Sequence, residues 1–173
     1  MQKTTRTIRR GFTLFEMITT VMIIGMIGMI VVPTVMSTTA APALPTASNM
    51  IASDTEYVES ACINTPQSML VLRIDLAANK YWVAAASSPD TPVNSPADGQ
   101  PYSNDFATGR TARMNGLTIQ SVTGAGAGTS LTIAFDAYGV PKTSGSNVVI
   151  TLAISGNTMT VTINGTTGEV TIP

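Results

Sequence analysis

Glu16 is the only charged residue in an otherwise apolar run that covers residues 12–32. An ionised carboxylate is costly in hydrocarbon, and it is tolerated there when a cation desolvates beside it. The chemistry that this position allows is therefore ion pairing with a cation in an apolar environment. The alternative is a carboxylate near a membrane interface that is solvated by lipid headgroups. The run alone favours this second interpretation.

The apolar run follows a basic leader. Four of the nine Lys and Arg residues stand before it: Lys3, Arg6, Arg9 and Arg10. No other basic residue occurs until Arg73. A helix of residues 12–32 would be roughly 32 Å long, which is enough to cross a bilayer. Because cytoplasmic segments carry the excess of basic residues, we expect residues 1–11 in the cytoplasm and the rest on the other side.

The composition disfavours an enzyme. The chain has no histidine and one cysteine, Cys62, so serine-histidine and cysteine-histidine nucleophile systems are excluded. We expect no catalytic residue, no cofactor and no metal. Asp90, Asp98 and Asp105 share a polar stretch, but they lack the spacing of a calcium loop. We therefore interpret them as solvated loop residues.

The charge balance makes nucleic acid an unexpected partner. Beyond the leader, five basic residues face all ten acidic ones, so this part has a net charge of 5 − 10 = −5. Arg110 and Arg113 form its one close basic pair, and two arginines on a negative domain give a weak, salt-sensitive footprint. We interpret the pair as part of a solvated loop.

Proline interrupts the helical pattern after the apolar run. Pro42 and Pro45 predict a kink or linker over residues 37–47, with a second helix resuming near Ser48. Apolar residues then recur at helical spacing as far as Cys62, which we interpret as a small core residue. A stop is predicted at Asn64-Thr65-Pro66. Three acidic residues of this helix are predicted to form a solvated face: Asp54, Glu56 and Glu59.

Strand patterns occupy the remainder of the chain. Alternating apolar residues predict strands at 69–76, 81–85, 117–122, 131–135, 148–154, 158–163 and 169–172. Residues 87–103 are rich in Pro, Ser, Asp and Asn, and we predict a surface loop there. Residues 77–80 predict a hairpin turn, and short turns join the last three strands into a meander. The expectation is an α+β domain at residues 48–173, with the helix packed on one antiparallel sheet of about six or seven strands.

The stretch GFTLFEM, residues 11–17, resembles the class III signal of type IV pilins and type II secretion pseudopilins. The resemblance implies that prepilin peptidase cuts after Gly11 and methylates the new N-terminal residue, Phe12. It also implies that Glu16 pairs with the N-terminal amine of a neighbouring subunit during filament assembly. Pro33 resembles the proline in the N-terminal helix of that family. In this context, the pairing interpretation of Glu16 becomes the favoured one.

The order of helix, strand pair, long loop and terminal meander resembles the GspH/FimT group of minor pseudopilins and minor pilins. This implies a pilin-like fold: an inner-membrane, single-pass helix at residues 12–36, followed by a periplasmic globular domain. It implies a structural subunit of a type II secretion pseudopilus or type IV pilus. The implied partners are prepilin peptidase, other pseudopilin or pilin subunits and the inner membrane. The alternative is a FimT-like minor pilin of a type IV pilus, in pilus biogenesis or DNA uptake.

Overall fold

The computed structural model describes residues 12–37, 43–106, 108, 114, 116–124, 126 and 128–173. The fold is α+β, with two helices and antiparallel sheets, as the sequence predicts. The chain divides into two compact units, residues 1–39 and residues 40–173. Helix α1 (Leu14–Ser37) belongs to the first unit, and helix α2 (Ala43–Asn64) opens the second. The described residues of the second unit also form nine strands: β1 (Leu70–Asp75), β2 (Lys80–Ala85), β3 (Ser88–Pro92), β4 (Ser103–Asp105), β5 (Thr118–Thr123), β6 (Ser130–Ala134), β7 (Val148–Ile154), β8 (Asn157–Ile163) and β9 (Val170–Thr171).

Helix α1 has 24 residues, and Glu16 in its first turn is its only charged residue. Its large apolar side chains are exposed as far as Ile27, where the described side chains of this helix end. No helix in the described part of the chain is both long enough and apolar enough to cross a membrane. The membrane-spanning role of residues 12–36 therefore stays a prediction.

Helix α2 begins at Ala43, earlier than the predicted Ser48, and ends at the predicted Asn64. Pro45 lies in its first turn, where proline is tolerated because the backbone N–H there has no acceptor within the helix. Pro42, the other proline of the predicted linker, lies outside the described residues. The helix buries one side, which includes Cys62 as predicted: Ala43, Leu44, Ala47, Ile51, Val58 and Cys62.

The strands form two sheets of five and four strands, so the prediction of one sheet is wrong. The first sheet has the order β3-β2-β1-β6, and β4 pairs with the same edge of β2 as β3. The second sheet has the order β5-β7-β8-β9. An alternating pattern identifies a strand and its buried face, but it does not say which strand is its partner. Here β6 returns to β1, while β5 pairs with β7, and this separates the two sheets.

Two short strands occur where the sequence predicts a loop over residues 87–103. Strand β3 lies within that loop, and β4 begins at its end. Strand β3 contains Pro89 and Pro92, which remove two backbone donors and confine such a strand to a sheet edge. The proline content that predicts a loop is therefore compatible with an edge strand.

The main core lies between α2 and the buried faces of both sheets. The faces predicted from alternation are the buried ones, as Ile133, Phe135 and Val161 show. The predicted hairpin turn between β1 and β2 links the sheets through Asn79, which has a φ of 51°. The Asn79 amide donates to Leu117 O at 2.8 Å and accepts from Ile119 N at 2.8 Å. The hairpin of the first sheet is thereby tied to the start of β5 in the second.

Candidate functional site

The first turn of α1 is closed by reciprocal hydrogen bonds between Thr13 and Glu16. The Glu16 N–H donates to Thr13 Oγ1 at 3.3 Å, and the Thr13 N–H donates to Glu16 Oε2 at 3.4 Å. The Thr13 hydroxyl also donates to Oε2 at 3.4 Å. This is the capping-box arrangement, in which an N-cap Thr and a Glu three residues later satisfy each other's backbone donors. Glu16 thus has a role within its own chain.

The sequence also carries a signal for this arrangement, which the predicted role of Glu16 does not include. Thr13-Leu14-Phe15-Glu16 has the spacing of a capping box directly before an apolar run. The bonds are long for N–H···O hydrogen bonds, and Glu16 is exposed. Among the described residues Glu16 has no ion-pair partner. Its carboxylate therefore caps the helix and remains accessible to a cation from another molecule.

The predicted processing site lies at the edge of the described residues. Phe12 directly precedes the N-cap residue, and its side chain is 79% exposed. Gly11 lies outside the described residues, so cleavage at the Gly11–Phe12 bond stays a prediction. Because the capping box uses the backbone N–H of Thr13, cleavage before Phe12 would leave the box intact.

A second polar cluster, centred on Asp54 of α2, lies inside the globular unit. Asp54 is 9% exposed, so the prediction that it belongs to a solvated face is wrong. Its carboxylate accepts hydrogen bonds from Tyr81 Oη at 2.8 Å, Tyr102 Oη at 2.6 Å and Asn104 Nδ2 at 3.0 Å. A buried carboxylate is stable only when such donors replace the water that it loses.

The donors to Asp54 come from separate parts of the first sheet. Tyr81 belongs to β2, Asn104 to β4, and the two residues are paired across these strands. Tyr102 precedes β4, and its ring lies 5.6 Å from that of Tyr57 on α2. The Asp54 cluster therefore fixes α2 to β2 and to the β4 segment, which is a structural role. The sequence shows Asp54 on the apolar stripe of the helix, and this position is the signal for its burial.

Burial and the Asp54 carboxylate act together on the two phenols. Burial is the larger influence on Tyr81 and raises its pKa well above the ordinary value, and the charge of Asp54 raises it further. Burial likewise raises the pKa of Tyr102, with the hydrogen bond to Asp54 as the next cause. Both phenols are therefore held in the neutral form, which donates a hydrogen bond to Asp54.

We expect the globular unit to lose stability in alkali because of these two tyrosines. Their folded pKa values lie above the unfolded values, so the unfolded chain releases their protons first, from about pH 10 upward. The free energy of unfolding should fall as pH rises through this range, and tyrosinate absorbance should appear together with unfolding. Combining Tyr81→Phe with Tyr102→Phe should flatten this dependence. An equally steep loss in the double variant would contradict the assignment.

The remaining sequence candidates do not gather into a site. Asp90 forms an ion pair of 3.5 Å with Arg73. Asp98 accepts a hydrogen bond from Gln100 N within its loop, and Asp105, the last residue of β4, accepts one from Thr108 Oγ1. Within the described ranges, no group of three or more potential metal ligands occurs. Arg110 and Arg113 lie outside the described residues, so their predicted solvated loop stays a prediction.

Comparison with known proteins finds no similar protein. No family model, no curated protein and no solved structure matches it. The residues of α1 and the chemistry that they allow are therefore the best indication of function in the described part of the chain.

Proposed function

We propose that the protein is a structural minor pseudopilin, a subunit of a type II secretion pseudopilus that supports protein secretion across the outer membrane. Prepilin peptidase would remove residues 1–11, and residues 12–36 would anchor the subunit in the inner membrane before assembly. The globular unit would lie in the periplasm and be presented on the filament surface. The protein would act by packing against other subunits and would catalyse no reaction.

The observation that carries this proposal is the first turn of α1. An exposed carboxylate stands there on a helix whose neighbouring large side chains, including Leu14, Phe15 and Met17, are apolar and exposed. A helix with exposed apolar side chains requires a membrane or a bundle of other helices around it. Within a bundle of helices, where headgroups and water are absent, Glu16 would require a cation. The new amine of a neighbouring, processed subunit would supply that cation.

The globular unit is compatible with a pilin-like subunit. An amphipathic helix, α2, packs on antiparallel sheets, and the meander of β7, β8 and β9 ends the domain. These features are shared with many secreted α+β domains, so they support the proposal less strongly than α1 does. No observation on the described residues favours the DNA-uptake alternative.

Processing is the direct test of this proposal. We expect intact-mass and N-terminal peptide analysis of the membrane-extracted protein to show residues 1–11 removed and Phe12 N-methylated. Gly11→Val should remain uncleaved, because the small residue at the cut is lost, whereas Arg10→Lys should be cleaved normally. An N-terminus near Ala43 would instead indicate an ordinary signal peptide and would contradict the proposal.

A further inference from the structure

The turn over residues 136–141, after β6, holds an aromatic side chain in solvent. Asp136 Oδ1 accepts hydrogen bonds from Tyr138 N at 2.8 Å and Val140 N at 2.9 Å, and Asp136 N donates to Val140 O at 2.9 Å. Tyr138, at the tip, is 88% exposed. The Asp136 side chain and the backbone bond together fix the turn. A partner would therefore order only the side chain of Tyr138 and not its backbone.

This turn lies against the last turns of α2. A Cβ added to Gly139 would be 2.8 Å from Glu59 Oε1 and 3.0 Å from Ile63 Cδ1, which shows how closely the two segments meet. Ile63 is 46% exposed and Val140 is 37% exposed. Tyr138, Val140 and Ile63 are therefore exposed apolar side chains on the two segments that meet beside Glu59.

A third segment meets the same carboxylate. A Cβ on Gly168 would lie 2.6 Å from Gly139 O and 3.3 Å from Glu59 Oε1. Both glycines have positive φ values, +83° and +82°, so their backbones approach Glu59 without a side chain between them. Backbone and apolar groups thus lie against one side of the half-buried Glu59. Within the described part of the chain, Glu59 has no hydrogen bond or ion pair from its side chain.

The electrostatic surroundings of Glu59 are unfavourable to its charge. Desolvation raises the pKa of Glu59, and the negative charge of Glu56 raises it further. Lys142 is the first basic residue after the turn. Its Nζ lies 3.9 Å from Met69 Sδ and does not form an ion pair with Glu59. An external cation beside Glu59 would stabilise its charged form and so act against both of these causes.

We infer that Glu59, Ile63, Tyr138 and Val140 form a docking surface for a different protein that presents Lys or Arg beside apolar side chains. Tyr138 would be the apolar anchor, and Glu59 would pair with the cation. A second copy of this chain is a poor occupant, because the part beyond the leader has a net charge of 5 − 10 = −5. The inference goes beyond the proposed function, since it does not depend on cleavage at Gly11 or on filament assembly.

Photocrosslinking of the full-length chain in its own cells tests this docking surface. With p-benzoylphenylalanine at position 138, we expect one main adduct with another protein, in a segment that contains Lys or Arg next to apolar residues. The same probe at Ser87, exposed after β2, should not give this adduct. An adduct with twice the mass of the chain, a lipid adduct, a partner segment without a cation or the absence of any adduct would overturn the inference.

Charge variants separate docking from mere proximity. Glu59→Lys should lower the yield of the Tyr138-position adduct about tenfold or more, because it places like charges together. Glu59→Gln should lower the yield less, and Glu59→Asp should retain most of it. Asp98→Lys makes the same charge change in the 94–101 loop and should have no effect. Melting temperatures equal to wild type establish that the variants fold, and an unchanged yield in Glu59→Gln and Glu59→Lys would contradict the role of Glu59.

Discussion

Glu16→Gln is expected to reduce incorporation of the protein into sheared filaments by about 100-fold or more. Under the proposed function, the change leaves the amine of a neighbouring subunit unpaired in an apolar bundle, and breaking one side of a buried pair costs ~3–5 kcal/mol. Glutamine is nevertheless an acceptable capping-box residue, so α1 should keep its first turn. The measurement is the amount of processed protein in purified filaments, relative to the amount in the membrane.

Thr13→Val separates the capping role of the first turn from the charge of Glu16. It removes the Thr13 hydroxyl that caps the helix and retains the Glu16 carboxylate. Loss of an N-cap side chain typically costs about 1 kcal/mol, so incorporation should fall about fivefold. Glu16→Asp should be intermediate, because it keeps the charge on a shorter side chain, and Glu16→Ala should lose both roles. If Glu16→Gln assembled like wild type while Thr13→Val failed, capping would be the function of Glu16, and the intersubunit pair would be contradicted.

Asp54→Ala is expected to destabilise the globular unit by about 3–5 kcal/mol. The change leaves two phenols and one amide without their acceptor, and each buried unsatisfied group costs roughly 1–3 kcal/mol. For a domain of this size, the melting temperature should fall by about 10 °C or more. Thermal unfolding of the detergent-solubilised full chain, followed by circular dichroism, measures the shift.

Glu56→Ala is the control for this second variant. Glu56 is exposed on the same helix, and alanine is a good helix former, so its effect should stay within about 0.5 kcal/mol. The loss of unfolding free energy in Asp54→Asn should lie between those of Asp54→Ala and Glu56→Ala. Asparagine keeps one acceptor oxygen and the shape of the side chain. Equal melting temperatures for Asp54→Ala and wild type would show that the cluster does not fix α2 to the first sheet.

The local elements of this fold are largely readable from the sequence, whereas their partners are not. The predicted strand at 148–154 is β7 itself, because its alternating residues bury one face. Nothing in that alternation specifies that β7 pairs with β5. Strand β6 lies between them in the chain and belongs to the other sheet. Pairing of distant strands depends on loop paths and on the packing of α2, and a local pattern does not contain these.

The polar sites divide in the same way. The capping box of Thr13 and Glu16 is local, and its spacing alone could have predicted it. The partners of Asp54 are Tyr81, Tyr102 and Asn104, the nearest of which is 27 residues away in the chain. Only the position of Asp54 on the apolar stripe indicates burial, and no sequence pattern identifies donors so distant. The proposed docking surface likewise forms only where α2 and the turn over residues 136–141 meet, and no local sequence pattern predicts that meeting.

The burial of Cys62 bears on how the protein would fold if it is exported as proposed. Its side chain is fully buried, and its thiol donates to Leu70 O at 3.3 Å. On the proposed periplasmic side, where thiols are oxidised, a lone cysteine has no partner within its own chain and would react with other molecules if it were accessible. The closed core keeps oxidants away from the thiol. If the protein is exported as proposed, this protection would begin only once α2 has packed on β1. Until then, crosslinking of Cys62 to other molecules would compete with folding.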